Sequence, residues 1–249
     1  LPTGVVDEVA QVELAAGADY LAVALVEEGV TLREAGVRAP VLVLGGSTPE
    51  ALNAAVQNHL AQAVYDPEDV RLLQKEAARL DTVAHAHLKI DTGMTRIGVR
   101  GGEALEKVLA TFKDCPRVKL EGVFTHFAAA DDDPEYTRAQ NARFVAAVAR
   151  IRAEGVKPIV HAAASEATLR DPTLWHDMVR PGIMVYGSLP DPTTPATVPL
   201  LPGLEWTTRV SFVKDVAAGE SVGYGRTWVA PRDTTIATIP VGYGDGYSR

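Results

Sequence analysis

Seven short apolar runs recur along the chain, at 20–26, 40–44, 61–65, 83–91, 118–127, 158–162 and 177–186. Helical patterns fill most gaps between them, at 27–35, from 49 onward, and at 67–80, 102–112 and 134–154. Nearly continuous apolar runs of this length are strands buried on both faces. Strands separated by crossover helices build a parallel sheet. The punctuation agrees: Gly17 and Gly36 stop helices, and Ser47-Thr48-Pro49-Glu50 opens one with a hydroxyl cap, an early proline and an acid. Ahead of the first run, a helix from Gly4 carries an apolar stripe on Val5, Val9, Val12 and Ala16. The pattern predicts a (β/α)8 TIM-type barrel whose first strand is missing. A doubly wound open sheet is the alternative, but no Gly-rich dinucleotide fingerprint supports it.

After Gly187 the character changes. Residues 188–203 are rich in Pro and Thr, as linkers are. Short alternating runs follow at 206–215, 226–229 and 234–241, separated by turns at Ala218-Gly219 and Arg232-Asp233. This reads as the start of a small β domain. The expected division is a barrel over 1–198 and the N-terminal part of a β-strand domain over 199–249. With 249 residues, 47 % of them hydrophobic, the chain can bury a core of that size.

In a barrel the working residues sit at the C-terminal ends of strands. His126, Ser165 and Arg180 fall there or just beyond. Ser165 follows an apolar run and precedes helix formers, so a hydroxyl and the free N–H groups of a helix start would converge there on an anion. Arg180 needs a polar partner if it points inward, and Pro181-Gly182 lets backbone approach the same anion without a side-chain clash. An ordinary turn with a structural Arg fits these residues equally well. Lys89 and Asp91 alternate on one strand and share a face, either as a structural ion-pair layer or as part of a site, with Arg96 projecting from the loop beyond. A lone His such as His126 is commonly a satisfied core residue. Tyr224, between two glycines, is either open to close approach or a turn aromatic. His161 reads as a supporting group, while His59, His85 and His176 read as structural or exposed. Asp131-Asp132-Asp133 reads as a solvated loop and helix entry, and Cys115 as a bystander. No metal-ligand spacing appears.

The net charge of −8 argues against a nucleic-acid surface. No apolar run reaches the roughly 18–20 residues of a membrane span, and no basic start precedes an apolar core, so neither membrane insertion nor a signal peptide is expected. A single cysteine excludes an internal disulfide and fits a reducing, cytoplasmic compartment.

Four motifs then carry a resemblance that spans almost the whole chain. HAAAS at 161–165, followed by DMVRPGIMVYG at 177–187, resembles the cofactor segment of the alanine racemase family. HLKIDTGMTRIG at 87–98 resembles that family's HLKxDTGMxRxG, and THF at 125–127 and GYGRTW at 223–228 also match. The resemblance implies pyridoxal phosphate, with Ser165, Gly182 and Ile183 at the phosphate and Arg180 facing the pyridine nitrogen. It puts Arg96 near the cofactor's phenolic oxygen and the substrate carboxylate, with a carbamylated Lys89 to pair with it. His126 would link the catalytic Tyr224 to Arg180, and Tyr224 would act in the partner's site of a homodimer. Tyr243, in a segment resembling IGYADG with Gly244 in place of Ala, would stand at the site entrance. Ala164 replaces the family's usual Asn, which alters one local hydrogen bond.

The implied reaction interconverts L- and D-alanine through an external aldimine by two-base proton exchange, feeding D-alanine to cell-wall synthesis. The family's Schiff-base Lys lies in a KANAYGHG-like segment on the first strand, and residues 1–249 contain none. The chain starts at Leu1 and stops at Arg249, so both ends are expected to be cut. The alternatives are a non-catalytic pyridoxal phosphate carrier, an inactive fragment or subunit, and a decarboxylase on the same plan. The last places an acid where this chain has Arg180.

Overall fold

All seven expected strands form one parallel sheet in sequence order: β1 (Leu21–Val23), β2 (Val41–Val43), β3 (Ala61–Val64), β4 (Ala84–Lys89), β5 (Val118–Phe124), β6 (Ile159–Ala164) and β7 (Met178–Arg180). The computed structural model describes residues 6–247. Helices α1 (Val6–Ala15), α2 (Val26–Glu34), α3 (Pro49–Gln57), α4 (Pro67–Arg79), α5 (Glu103–Asp114), α6 (Pro134–Arg152) and α7 (Ser165–Arg170) alternate with the strands. The sheet curls into a barrel. Tyr20, just ahead of β1, lies with Oη 3.4 Å from Nε2 of His87 on β4. In a flat sheet, three strand spacings would hold those strands about 14 Å apart.

Local chemistry explains where the helices begin. Thr48 accepts from the Ala51 amide ahead of Pro49. Asp66 accepts from the Glu68 amide while Asp69 reaches back to the Asp66 amide, and Asp133 accepts from that of Tyr136. The helices cover the outside of the sheet. One apolar cluster centres on Leu88, Phe144 and Ile151, and another on Leu32, Val43 and Leu60. On β4 the residues alternate: Ala86 and Leu88 join the outer core, while His87 and Lys89 are buried on the opposite, inner face.

The β4–β5 pair is interrupted once. Ala86 pairs with Leu120 but His87 pairs with Gly122, so Glu121 is an extra residue on β5. A Cβ at Gly122 would lie 2.2 Å from Nδ1 of His87, so the glycine makes room for that ring.

Several sequence expectations need correction. The α1 face turned to the core is Val6, Ala10 and Leu14; Val12 is 69 % exposed, and Gly4 and Val5 lie outside the described residues. With apolar residues all round a short helix, periodicity alone chose the wrong stripe. The last barrel strand ends at Arg180, not at 186, because Pro181 and Gly182 break the ladder and Ile183–Tyr186 turns as a 3-10 helix.

The chain divides into two units, Leu1–Leu201 and Pro202–Arg249. In the second, β8 (Phe212–Val216) pairs antiparallel with β11 (Thr234–Thr238), and β9 (Ser221–Val222) with β10 (Trp228–Val229). These strands are shorter than the alternating runs suggested, since turns take their ends.

Candidate active site

Arg180 ends β7 and turns its guanidinium across the strand ends. Nη1 donates to Nδ1 of His161 at 2.9 Å. Nη2 donates to the carbonyls of Thr125 at 2.9 Å and Ala162 at 3.0 Å, and lies 3.3 Å from Nδ1 of His126. These partners are neutral, and Arg180 forms no ion pair among the described residues. Burial draws its pKa down to about 10, which leaves it charged at neutral pH.

His126 stands two residues past β5. Burial, then the charges of Arg180, Lys89 and Arg96, lower its pKa to about 4. An arginine only donates, so Nδ1 of His126 accepts and its proton sits on Nε2. His161 is fully buried on β6, stacked on Phe124 with ring centroids 4.9 Å apart, and is bonded directly to Arg180. It thus supports Arg180 directly.

Lys89 is buried, with Nζ 4.5 Å from the Phe124 ring centroid. Burial first, then Arg180 and Arg96, lower its pKa to about 7. Of the two readings of Lys89 and Asp91, the ion-pair layer is absent among the described residues. Asp91 instead accepts from the amides of Gly93 and Thr95 and from Arg100. Burial works against its charge, but those donors hold its pKa below the usual value. Asp91 thus shapes the turn that carries the exposed Arg96.

Helix α6 clamps the same turn. Tyr136 donates to the Gly93 carbonyl and Arg143 to that of Thr92. Gln140, fully buried, donates to Thr92 Oγ1 at 3.1 Å and to the His126 carbonyl at 3.3 Å, and accepts from the Ala128 amide at 2.9 Å. The sequence reading missed Gln140, although a polar residue one turn before Phe144 on the buried stripe was a visible signal.

Ser165 is the first residue of α7, not its cap. Its buried Oγ accepts from the amide of Gly182 at 2.9 Å and lies 3.5 Å from that of Met184. A Cβ at Gly182 would meet nothing within 4 Å, so this backbone borders open space. Asp131, Asp132 and Asp133 are exposed at the entry to α6, and Cys115 is buried after α5. His176 bonds Asn141 and His85 bonds Glu121, and neither bonds Arg180. Among the described residues no cluster of three or more His, Cys, Asp or Glu could hold a metal ion, and no helix is long and apolar enough to cross a membrane.

Tyr224 belongs to the second unit. It is 88 % exposed in a 3-10 turn between Gly223 and Gly225, both at positive φ. Tyr243 is also exposed in a short turn, where Asp245 accepts from the Gly242 amide.

Residues 4–190 match the model for the N-terminal domain of alanine racemase, and residues 203–249 match that for its C-terminal domain. The chain belongs to the alanine racemase family. It is 46 % identical over 245 residues to an alanine racemase of Symbiobacterium thermophilum, covering 97 % of this chain and 64 % of that protein. An alanine racemase of Oceanobacillus iheyensis is 40 % identical over 97 % of this chain and 62 % of its own length. The solved alanine racemase of Clostridium difficile 630 superposes with a TM-score of 0.84 at 34 % identity, over 98 % of this chain and 64 % of that one. The chain thus spans less than two thirds of the length of these alanine racemases.

Proposed function

We propose that this chain is the barrel, over 1–198, and the leading part of the β domain, over 199–249, of an alanine racemase. The reading is of a cytoplasmic homodimer that interconverts L- and D-alanine with pyridoxal phosphate and supplies D-alanine to cell-wall synthesis. One observation carries it: Arg180, with a charge-free set of partners, stands one residue from the proline that leads into the Ser165–Gly182 contact.

The residues present fit the cofactor. With Ser165 Oγ accepting backbone N–H, its own hydroxyl hydrogen remains free to donate to a phosphate, beside the open backbone at Gly182 and Ile183. Arg180 would face the pyridine nitrogen and, staying charged, keep that nitrogen unprotonated. When bound, the cofactor ring supplies the electron sink that acidifies the substrate α-hydrogen.

The remaining roles fall on this chain's side chains. Arg96 would bind the substrate carboxylate. Lys89, with an amine neutral for part of the time at pH 7, is suited to take up CO2 and face Arg96 as a carbamate. His126 offers its Nε2 hydrogen to the phenol oxygen of Tyr224 from the partner subunit, which would favour the phenolate that removes or returns the α-proton. Tyr243 would narrow the entrance. The second unit, matched to the racemase C-terminal domain, speaks against a carrier lacking a β domain, and a basic residue at 180 speaks against the decarboxylase plan.

The test is Tyr224→Phe in the complete encoded protein. Racemisation should fall by about 100-fold or more, the contribution typical of a general base. An unaffected variant would remove Tyr224 from the mechanism.

A further inference from the structure

A line of side chains runs behind Arg180 through the inside of the barrel to the half-buried Tyr20. Arg180 Nη1 lies 2.9 Å from His161 Nδ1, and His161 Nε2 lies 2.9 Å from His87 Nδ1. His87 Nε2 lies 3.4 Å from the hydroxyl of Tyr20. His87 and His161 are both fully buried.

The direction of this line follows from what each group can give. An arginine only donates, so Nδ1 of His161 accepts and its proton must sit on Nε2. That proton points at His87 Nδ1, which must accept in turn. His87 then carries its own proton on Nε2, aimed at Tyr20. Only this pattern satisfies all three contacts. A second proton on either ring would set two N–H groups against each other or against the guanidinium. Burial, chiefly, holds both rings neutral: the pKa of His87 is drawn down to about 4 and that of His161 well below the ordinary value.

The sheet is shaped to admit His87. The extra residue at Glu121 and the missing side chain at Gly122 open the space its ring fills. Glu121 is engaged by His85, and among the described residues no carboxylate bonds to either ring of the line. The strand pairing is thus deformed at the one point where an imidazole must meet His161.

We propose that His87 is a positioning residue: its Nδ1 lone pair receives the His161 proton, keeps His161 a pure acceptor toward Arg180, and so fixes the guanidinium without a counter-ion. That Arg180 faces a cofactor rests on the racemase reading; the direction of the donor line does not.

The experiment is nitrogen-15 histidine NMR on the complete protein at pH 7 and pH 5.5, joined to kinetics of two variants. Both rings should be neutral Nε2–H tautomers at both pH values; an imidazolium or an Nδ1–H form at either ring would overturn the proposal. His87→Asn keeps an acceptor near the Nδ1 position, so the His161 signal should hold and alanine racemisation should stay within about threefold of the parent. His87→Leu removes the acceptor, so the His161 Nε2 signal should move and kcat should fall about tenfold with KM little changed. A Leu variant equal to the parent in both readouts would also overturn it. Should the Leu variant fail to fold, the parent tautomers and the Asn variant decide. Should the complete protein not racemise alanine, the racemase reading falls while the NMR still decides the line.

Discussion

The guanidinium of Arg180 meets Nδ1 of His161 at 2.9 Å, and its other partners are two carbonyls and a second imidazole. A cation satisfied wholly by neutral acceptors keeps its field for whatever lies in front of it. Arg180→Lys tests the fork directly. A single ammonium cannot reach two imidazoles and two carbonyls in this spread geometry. Stability should drop by about 1–3 kcal/mol in urea unfolding, with racemisation at least tenfold lower. A variant as stable and active as the parent would show that charge alone suffices.

Lys89 gives a pH test whose sign is fixed. Its folded pKa, about 7, lies below the ordinary 10.5. Below pH 7 folded and unfolded chains both hold the proton, and the folded state bears the full cost of the buried charge. Between pH 7 and 10.5 the unfolded chain binds more protons, so stability rises with pH, and the effect vanishes above that window. In CO2-free buffer, Lys89→Met should stabilise the protein by roughly 2–4 kcal/mol at pH 6 and by far less at pH 10. An equal gain at both pH values would place the effect in packing instead.

Gly122→Ala should destabilise by about 1–3 kcal/mol, because the new methyl meets a rigid ring rather than a flexible side-chain end. In a double-mutant cycle with His87→Ala that penalty should largely disappear. Additive losses would mean that Gly122 serves the bulge alone.

Gln140→Leu conserves volume but strands the Ala128 amide and frees the loops bearing Thr92 and His126. The expected cost is about 1–3 kcal/mol, with kcat lowered more than KM is raised. A neutral substitution would reassign Gln140 to simple packing.

Much of this fold is legible in the sequence. Apolar runs and cap residues located seven strands and the helices between them, because burial and capping are local demands. Ser165, His126 and Arg180 fell at strand ends for the same reason. His87 went unread, although the two-residue period that turns Lys89 inward does the same to His87. What no local pattern reveals is which inward residues meet: the contact of His87 with His161 depends on a bulge in β5, and that of Tyr20 with His87 on the curl of the whole sheet. Asp91 shared the inward period yet left it, because two loop amides and Arg100 hold it better than Lys89 could.

The most direct measurement follows both enantiomers at once. The complete protein with pyridoxal phosphate is incubated separately with L-alanine and with D-alanine, and the enantiomeric ratio is read over time. Both reactions should converge on equal amounts of the two forms, with no loss of total alanine. Persistence of either pure enantiomer, or release of CO2 and an amine, would contradict the racemase reading.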